Sequence, residues 1–301
     1  MKRTMILFVA LFAIVACQTS AGQDYVTTPA DVEVADDVLG QMTEAFSKSR
    51  ASGTVMTVPE LMTFAAERLL GTGYVAGTLE EDPANEQLRL YLTKTDCILF
   101  VETCLGLARA VSEKGGRTPS FDDFAAQVAG TRYRCKAPYT YGDRIHYTTE
   151  WIRRQEADGR LKDITLDLGG EVYDHPIHFM TRHSGSYRQL ADSSANPNRA
   201  LDLEKVGEAE DGLNLQPMTY VPKAKVAAAA KGIKTGDIIC YVSSVEGLDI
   251  AHVAIAYVRD GVAGFIHASQ ADGKVEIDKR TIEEYVGPRS NLSGIKVVRP
   301  L

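Results

Sequence analysis

The chain is predicted to fold as α+β, with a helical N-terminal part packed on a small antiparallel sheet or half-barrel. Three observations predict this. Apolar residues recur at steps of three and four through much of the first half, short alternating runs rich in Val and Ile fill the last quarter, and one apolar helix starting at Cys97 links the two.

The N-terminus reads as a leader. Lys2 and Arg3 precede an apolar run over residues 5–16, shorter than the ~20 residues of a membrane span but suited to a signal peptide. The run ends Ile14-Val15-Ala16-Cys17, which looks like a lipobox. Residues 1–16 are therefore expected to be cut away, Cys17 to be lipidated, and residues 17–30 to act as a polar tether. A plain secretory cut after Ala21 is the alternative. Either way the protein is expected to be exported, on the periplasmic side, and attached to a membrane through the lipid only. No later segment is apolar enough to span a bilayer.

Residues 31–301 are read as the catalytic domain. Helices are expected over 32–49 and 58–70, the second capped by Thr57 with Pro59 in its first turn. Residues 85–92 lead to the cysteine helix, where Cys97, Phe100, Val101, Cys104, Leu105 and Ala108 share one stripe while Ile98, Leu99 and Leu107 make the other faces apolar too. A cysteine in a first helical turn meets free backbone N–H groups and the positive end of the helix dipole, so a stabilised thiolate is expected at Cys97. Gly115-Gly116 stops the helix, and 121–130 reads as a short amphipathic one.

Residues 131–226 concentrate aromatic side chains with four of the six histidines, which suggests an inserted substrate wall. Arg144, His146 and Trp151, on a helix expected over 143–156, are its candidate substrate-binding residues. Packing of His146 and Trp151 on one helix face is the competing explanation. His175 and His178 flank Pro176 without a cysteine or acidic partner, so neither metal nor cofactor is expected.

Strands follow over 236–242, 250–258, 264–269, 274–277 and 294–298. His252 alternates with Ala254 and Ala256 on one face, and a turn at Arg259-Asp260-Gly261 returns the chain to the strand holding His267. A hairpin of this kind brings the two imidazoles together. A thiol, a histidine base and a second group orienting that base make a nucleophilic hydrolase, so Cys97, His252 and His267 are the candidate catalytic residues.

The segments Asp96-Cys97-x-x-Phe100-Val101, His252-Val253-x-Ile255 and Ile266-His267-Ala268-Ser269 resemble the NlpC-type branch of papain-like cysteine peptidases, which cut bacterial cell-wall peptides. More narrowly, residues 61 to the C-terminus resemble the N-acetylmuramoyl-L-alanine amidase-like branch. The features are the run 71–80, Glu102 after the nucleophile motif, and the long middle segment with Arg144-Ile145-His146-Tyr147. The resemblance implies a papain-like fold, a positioning and oxyanion role for Tyr74, and peptidoglycan fragments or muropeptides as substrates. Gly73 stands where the branch usually has proline, which is expected to loosen the loop holding Tyr74. Wall endopeptidases commonly read Asp-Cys-Ser-Gly, whose aspartate and serine help bind the free amine of L-alanine; here Asp96 is kept but Ile98 and Leu99 follow the cysteine, so the resemblance makes Asp96 and Ile98 candidate substrate-binding residues. Loss of a hydroxyl acceptor suits an acylated L-alanine nitrogen better than a free amine, unless Ile98 merely packs the core. The implied reaction is cleavage between N-acetylmuramic acid, in reducing or 1,6-anhydro form, and L-alanine. A γ-D-glutamyl-diamino acid endopeptidase and a non-catalytic muropeptide-binding lipoprotein are the alternatives.

Composition agrees. A chain of 301 residues with 45% hydrophobic content can bury a sizeable core, and a formal charge of −7 argues against nucleic acid. After Cys17 and Cys97, three cysteines remain: Cys104, Cys135 and Cys240, as one disulfide with a spare or three buried thiols.

Overall fold

The computed structural model describes residues 25–301; the leader and Cys17 lie outside them. Helix Pro29–Ala51 starts where the Thr28 hydroxyl accepts from the Asp31 N–H, with Pro29 at the first position. Helix Val58–Arg68 opens on a capping box between Thr57 and Glu60. The cysteine helix, Cys97–Lys114, ends at Gly115 in the left-handed region (φ 60°), where glycine has no Cβ penalty. It packs closely on helix Phe121–Arg132, because a Cβ on Gly106 would lie 2.9 Å from Val128.

The sheet is larger than expected. Ten strands run in the order Lys94–Thr95, Gly73–Tyr74, Lys274–Ile277, Val262–Ser269, Ile250–Arg259, Ile238–Ser243, Leu292–Pro300, Met218–Pro222 and Glu171–Tyr173, with Leu161–Asp163 also on Leu292–Pro300. All pairings are antiparallel except Gly73–Tyr74 with Lys94–Thr95. The architecture is mixed helix and sheet, as predicted. The added strands come from two sources that sequence pattern hides: two-residue pairings before the cysteine helix, and strands of the middle segment that extend the far edge of the sheet.

One core cluster joins the N-terminal helices to one face of the sheet, through Leu39, Leu61, Phe100, Leu105, Val253 and Ile266. A second lies on the opposite face around Ile239, Tyr241, Phe265 and Ile295. Period-two alternation feeds both, so the central strands are buried on both sides.

The middle segment departs from expectation locally. The helix expected over 143–156 begins later, at Thr148, after a 3₁₀ turn Tyr141–Asp143. Asp143 caps that turn by accepting from the Thr140 N–H, which competes with helix continuation. Trp151 is 2% exposed and belongs to the core cluster rather than to a substrate wall. No helix among the described residues is long and apolar enough to cross a membrane.

Candidate active site

Three local devices fix the cysteine. Asp96 caps its helix, with the carboxylate accepting from Leu99 N–H at 2.9 Å. Buried Asp31 accepts from Leu92 N–H, Thr93 N–H and the Thr93 hydroxyl, each at 2.8 Å, tying the segment before the cysteine to the first helix. Glu102 pairs with Arg132 at 2.8 Å beneath the helix, both nearly excluded from solvent. That pair is worth little as net stability but costly to break, since either partner alone would be a buried charge.

The histidines come together as their hairpin predicts. The register pairs Ile266 with Ile255, which sets His267 diagonal to His252 on one sheet face. His252 Nε2 and His267 Nδ1 are 2.8 Å apart. The next partner was not among the residues the sequence pattern marked. His267 Nε2 lies 3.2 Å from Asp278 Oδ2, in a bent contact, and Arg280 clasps Asp278 with bonds of 2.9 and 2.6 Å. Asp278 directly follows the strand paired to the His267 strand, and this adjacency in Ile277-Asp278 is the signal that could have found it.

This chain of contacts sets the tautomers. Arg280 holds Asp278 below the usual carboxylate range despite the opposing effect of burial, so the carboxylate is ionised and only accepts. His267 must then carry its proton on Nε2 and accept at Nδ1, and His252 must donate from Nε2. The remaining nitrogen, His252 Nδ1, keeps a free lone pair.

Cys97, His252, His267 and Tyr74 line a single cavity of about 430 Å³ together with Tyr285 and Arg289. Tyr74 is firmly placed, against the expectation from Gly73. Its backbone N–H donates to Gly273 O at 2.8 Å, and its two-residue strand is paired on both sides. Pairing replaces the stiffness that a proline would have supplied.

The electrostatics correct the expected thiolate. Burial first, then the Asp96 carboxylate, push the Cys97 thiol up to about 12, and the N–H groups at the helix start and at Val253 offset this only partly. Burial lowers His252 to about 3 and His267 to about 4. The site therefore rests as a neutral thiol and a neutral imidazole lining the same cavity.

A sign for stability follows. An unfolded histidine titrates near 6.5, so between that pH and the folded values the unfolded chain binds more protons. Folding stability should fall as pH drops from about 6.5 toward 4, and a His252→Gln, His267→Gln variant should flatten that slope in urea titrations repeated across pH. An equally steep slope in the double variant would show that other groups carry it.

The proposed substrate contacts are dispersed. Arg144 is buried and paired with Glu80 at 2.8 Å, outside the cavity that Cys97 lines. Asp96 is occupied as a cap, and half-buried Ile98 packs on the core without lining that cavity. His146, bonded to Tyr141 O at 2.9 Å, lines a second cavity of about 420 Å³ with Tyr141, Tyr147 and Tyr187. That cavity also contains Ile250, one residue from Ala251 and two from His252 in the first. His175 bonds Leu248 O, and Cys104, Cys135 and Cys240 are free thiols, Cys135 exposed rather than buried. His267, Glu276 and Asp278 hold ligand-type atoms within 4.8 Å of one another, but Arg280 already supplies the cation there.

The model of the AmiA-like family, described as N-acetylmuramoyl-L-alanine amidase-like, matches residues 65–294. A crystal structure of an N-acetylmuramoyl-L-alanine amidase from Bacteroides uniformis superposes with a TM-score of 0.70 at 30% identity, covering 81% of this chain and 98% of that one. A Bacteroides fragilis protein provisionally named a xylanase gives 0.68 at 29% identity, over 79% and 99%. Protein LPG0564 of Legionella pneumophila shares the fold, with a TM-score of 0.64 at 18% identity over 90% and 97%. No functionally curated protein matches the chain. The family match spans most of the chain, including Cys97, His252 and His267, and the chain belongs to the N-acetylmuramoyl-L-alanine amidase-like family.

Proposed function

We propose that this protein is a cysteine-dependent cell-wall hydrolase of papain-like type that cleaves the amide between N-acetylmuramic acid and the L-alanine of the stem peptide. The observation that carries it is that His252 and His267, backed by Asp278, share a cavity with the Cys97 thiol. Family membership supports the substrate class.

The chemistry follows from the neutral pair. As Cys97 Sγ attacks the carbonyl carbon, its proton passes to His252 Nδ1, so thiolate and imidazolium form during attack rather than before it. The tetrahedral oxyanion accepts hydrogen bonds from the Cys97 backbone N–H and the Tyr74 hydroxyl. Collapse breaks the C–N bond, and the His252 proton leaves with the L-alanine amine. Water then attacks the thioester, giving its proton to His252, and free muramic acid lactate departs as the thiol is restored.

Bond choice rests on the second cavity, since Ile98 lies away from the first. Its aromatic rings beside polar side chains suit a sugar, and consecutive strand residues join it to the reacting centre. In the same reading the enzyme works outside the cytoplasm, tethered through lipid on Cys17; this rests on the leader motif alone.

Mass spectrometry of defined muropeptides, with reducing and anhydro sugar ends, tests the proposal. The expected products are free sugar and an intact peptide beginning at L-alanine. A product retaining sugar-L-alanine-D-glutamate would make the protein an endopeptidase, and unchanged substrate would make it a binder. Thiol alkylation at neutral pH does not separate enzyme from binder, because the resting thiol is protonated.

A further inference from the structure

Two guanidinium groups reach the catalytic cavity, and only one is neutralised. Arg280 is held on Asp278. Arg289 lies over the Tyr285 ring, its guanidinium carbon 3.6 Å from the centroid, and donates one N–H to the Tyr285 carbonyl. Among the described residues, no carboxylate lies within ion-pair distance of Arg289.

The position of this charge conflicts with the reaction. Arg289 acts on both active-site histidines, opposing protonation of His252 and of His267. His252 must become cationic during attack, so an uncompensated guanidinium raises the barrier. An anion bound to Arg289 would remove that penalty at the moment of binding. The fixed fork of the guanidinium, stacked and partly oriented by the protein, matches a carboxylate with two parallel hydrogen bonds.

The substrate carries such a group. On the amine side of the proposed cut stands L-alanine, followed by a D-glutamyl residue linked through its γ-carboxyl, which leaves the α-carboxylate free. We propose that Arg289 is a specificity residue that binds this α-carboxylate. The assignment rests on the muramoyl-L-alanine amidase reading given above.

Two muramoyl tripeptides differing only in this group, free α-carboxylate or α-carboxamide, test it with the wild-type chain, Arg289→Gln and Arg289→Lys. Wild type should favour the carboxylate by about 10- to 100-fold in kcat/KM, the range of a hydrogen bond to a charged group. Both KM and kcat should contribute, because the carboxylate also offsets the charge that opposes the imidazolium. Arg289→Gln should bring the ratio near unity, and Arg289→Lys should restore part of it. Equal rates on both substrates by wild type would overturn the assignment. So would a loss in Arg289→Gln of equal proportion on both, the pattern of a purely structural stack on Tyr285. Failure of wild type to cut either substrate would instead remove the amidase reading, and this assignment with it.

Discussion

Alanine in place of Cys97 is expected to lower turnover of a muramoyl-L-alanine substrate by about 10⁴-fold or more, the scale seen when a nucleophile is deleted. The fold should survive. Alanine is the best helix former, the Asp96 cap acts through the Leu99 backbone, and the lost side chain is only half-buried. Circular dichroism and thermal unfolding should match wild type while the muropeptide assay goes silent. Cys97→Ser sharpens the test. A hydroxyl is a poorer acid than the thiol, and the neutral His252 here is a weak base, so serine should restore little. Substantial turnover by Cys97→Ala would exclude the cysteine as nucleophile.

Asp278→Asn is the second large effect, a fall in kcat of about 10²-fold or more through tautomers rather than contact with substrate. Arg280 donates to Asp278 Oδ1 from both its backbone and its side chain, which would keep the asparagine oxygen on that side. The amide nitrogen would then face His267 Nε2 and donate to it. His267 would move its proton to Nδ1, His252 would have to accept there, and its own proton would shift to Nδ1, where the thiol proton must go. KM should change far less than kcat, and Asp278→Glu should recover part of the rate. That outcome would make Asp278 a positioning residue. Equal kcat for Asp278→Asn and wild type would show that the bent 3.2 Å contact sets no tautomer.

Much of the site was legible because it sits on regular elements. Cys97 opens a helix whose apolar steps are plain, and His252 and His267 occupy same-face positions of a hairpin with a two-residue turn. Asp278, Arg280, Tyr285 and Arg289 were not legible. They lie where the chain leaves a strand and passes through a five-residue helix, Ile282–Val286, and no periodicity marks which side chains of such a stretch turn toward a cavity, as Arg280, Tyr285 and Arg289 do, or toward a histidine, as Asp278 does. The aromatic and histidine-rich middle segment was legible as a composition and not as an arrangement. Tyr141, His146, Tyr147 and Tyr187 do share one cavity, whereas Trp151 and Arg144 from the same stretch are buried, one in apolar packing and the other by Glu80.

By itself the sequence determined the α+β class, the position of the thiol at a helix start, and the pairing of two histidines. These depend on spacing within single elements, where 3.6 and 2 are the only periods needed. Tertiary structure decided the rest: the ten-stranded sheet, the pinned Tyr74, the Asp278 partner and the charge state of the thiol. Helix-end N–H groups favour a thiolate from sequence alone, but the ionisation of a half-buried sulfur is governed by what surrounds it. Only the packed fold sets how much water is excluded from Cys97 and how near the Asp96 charge comes to lie.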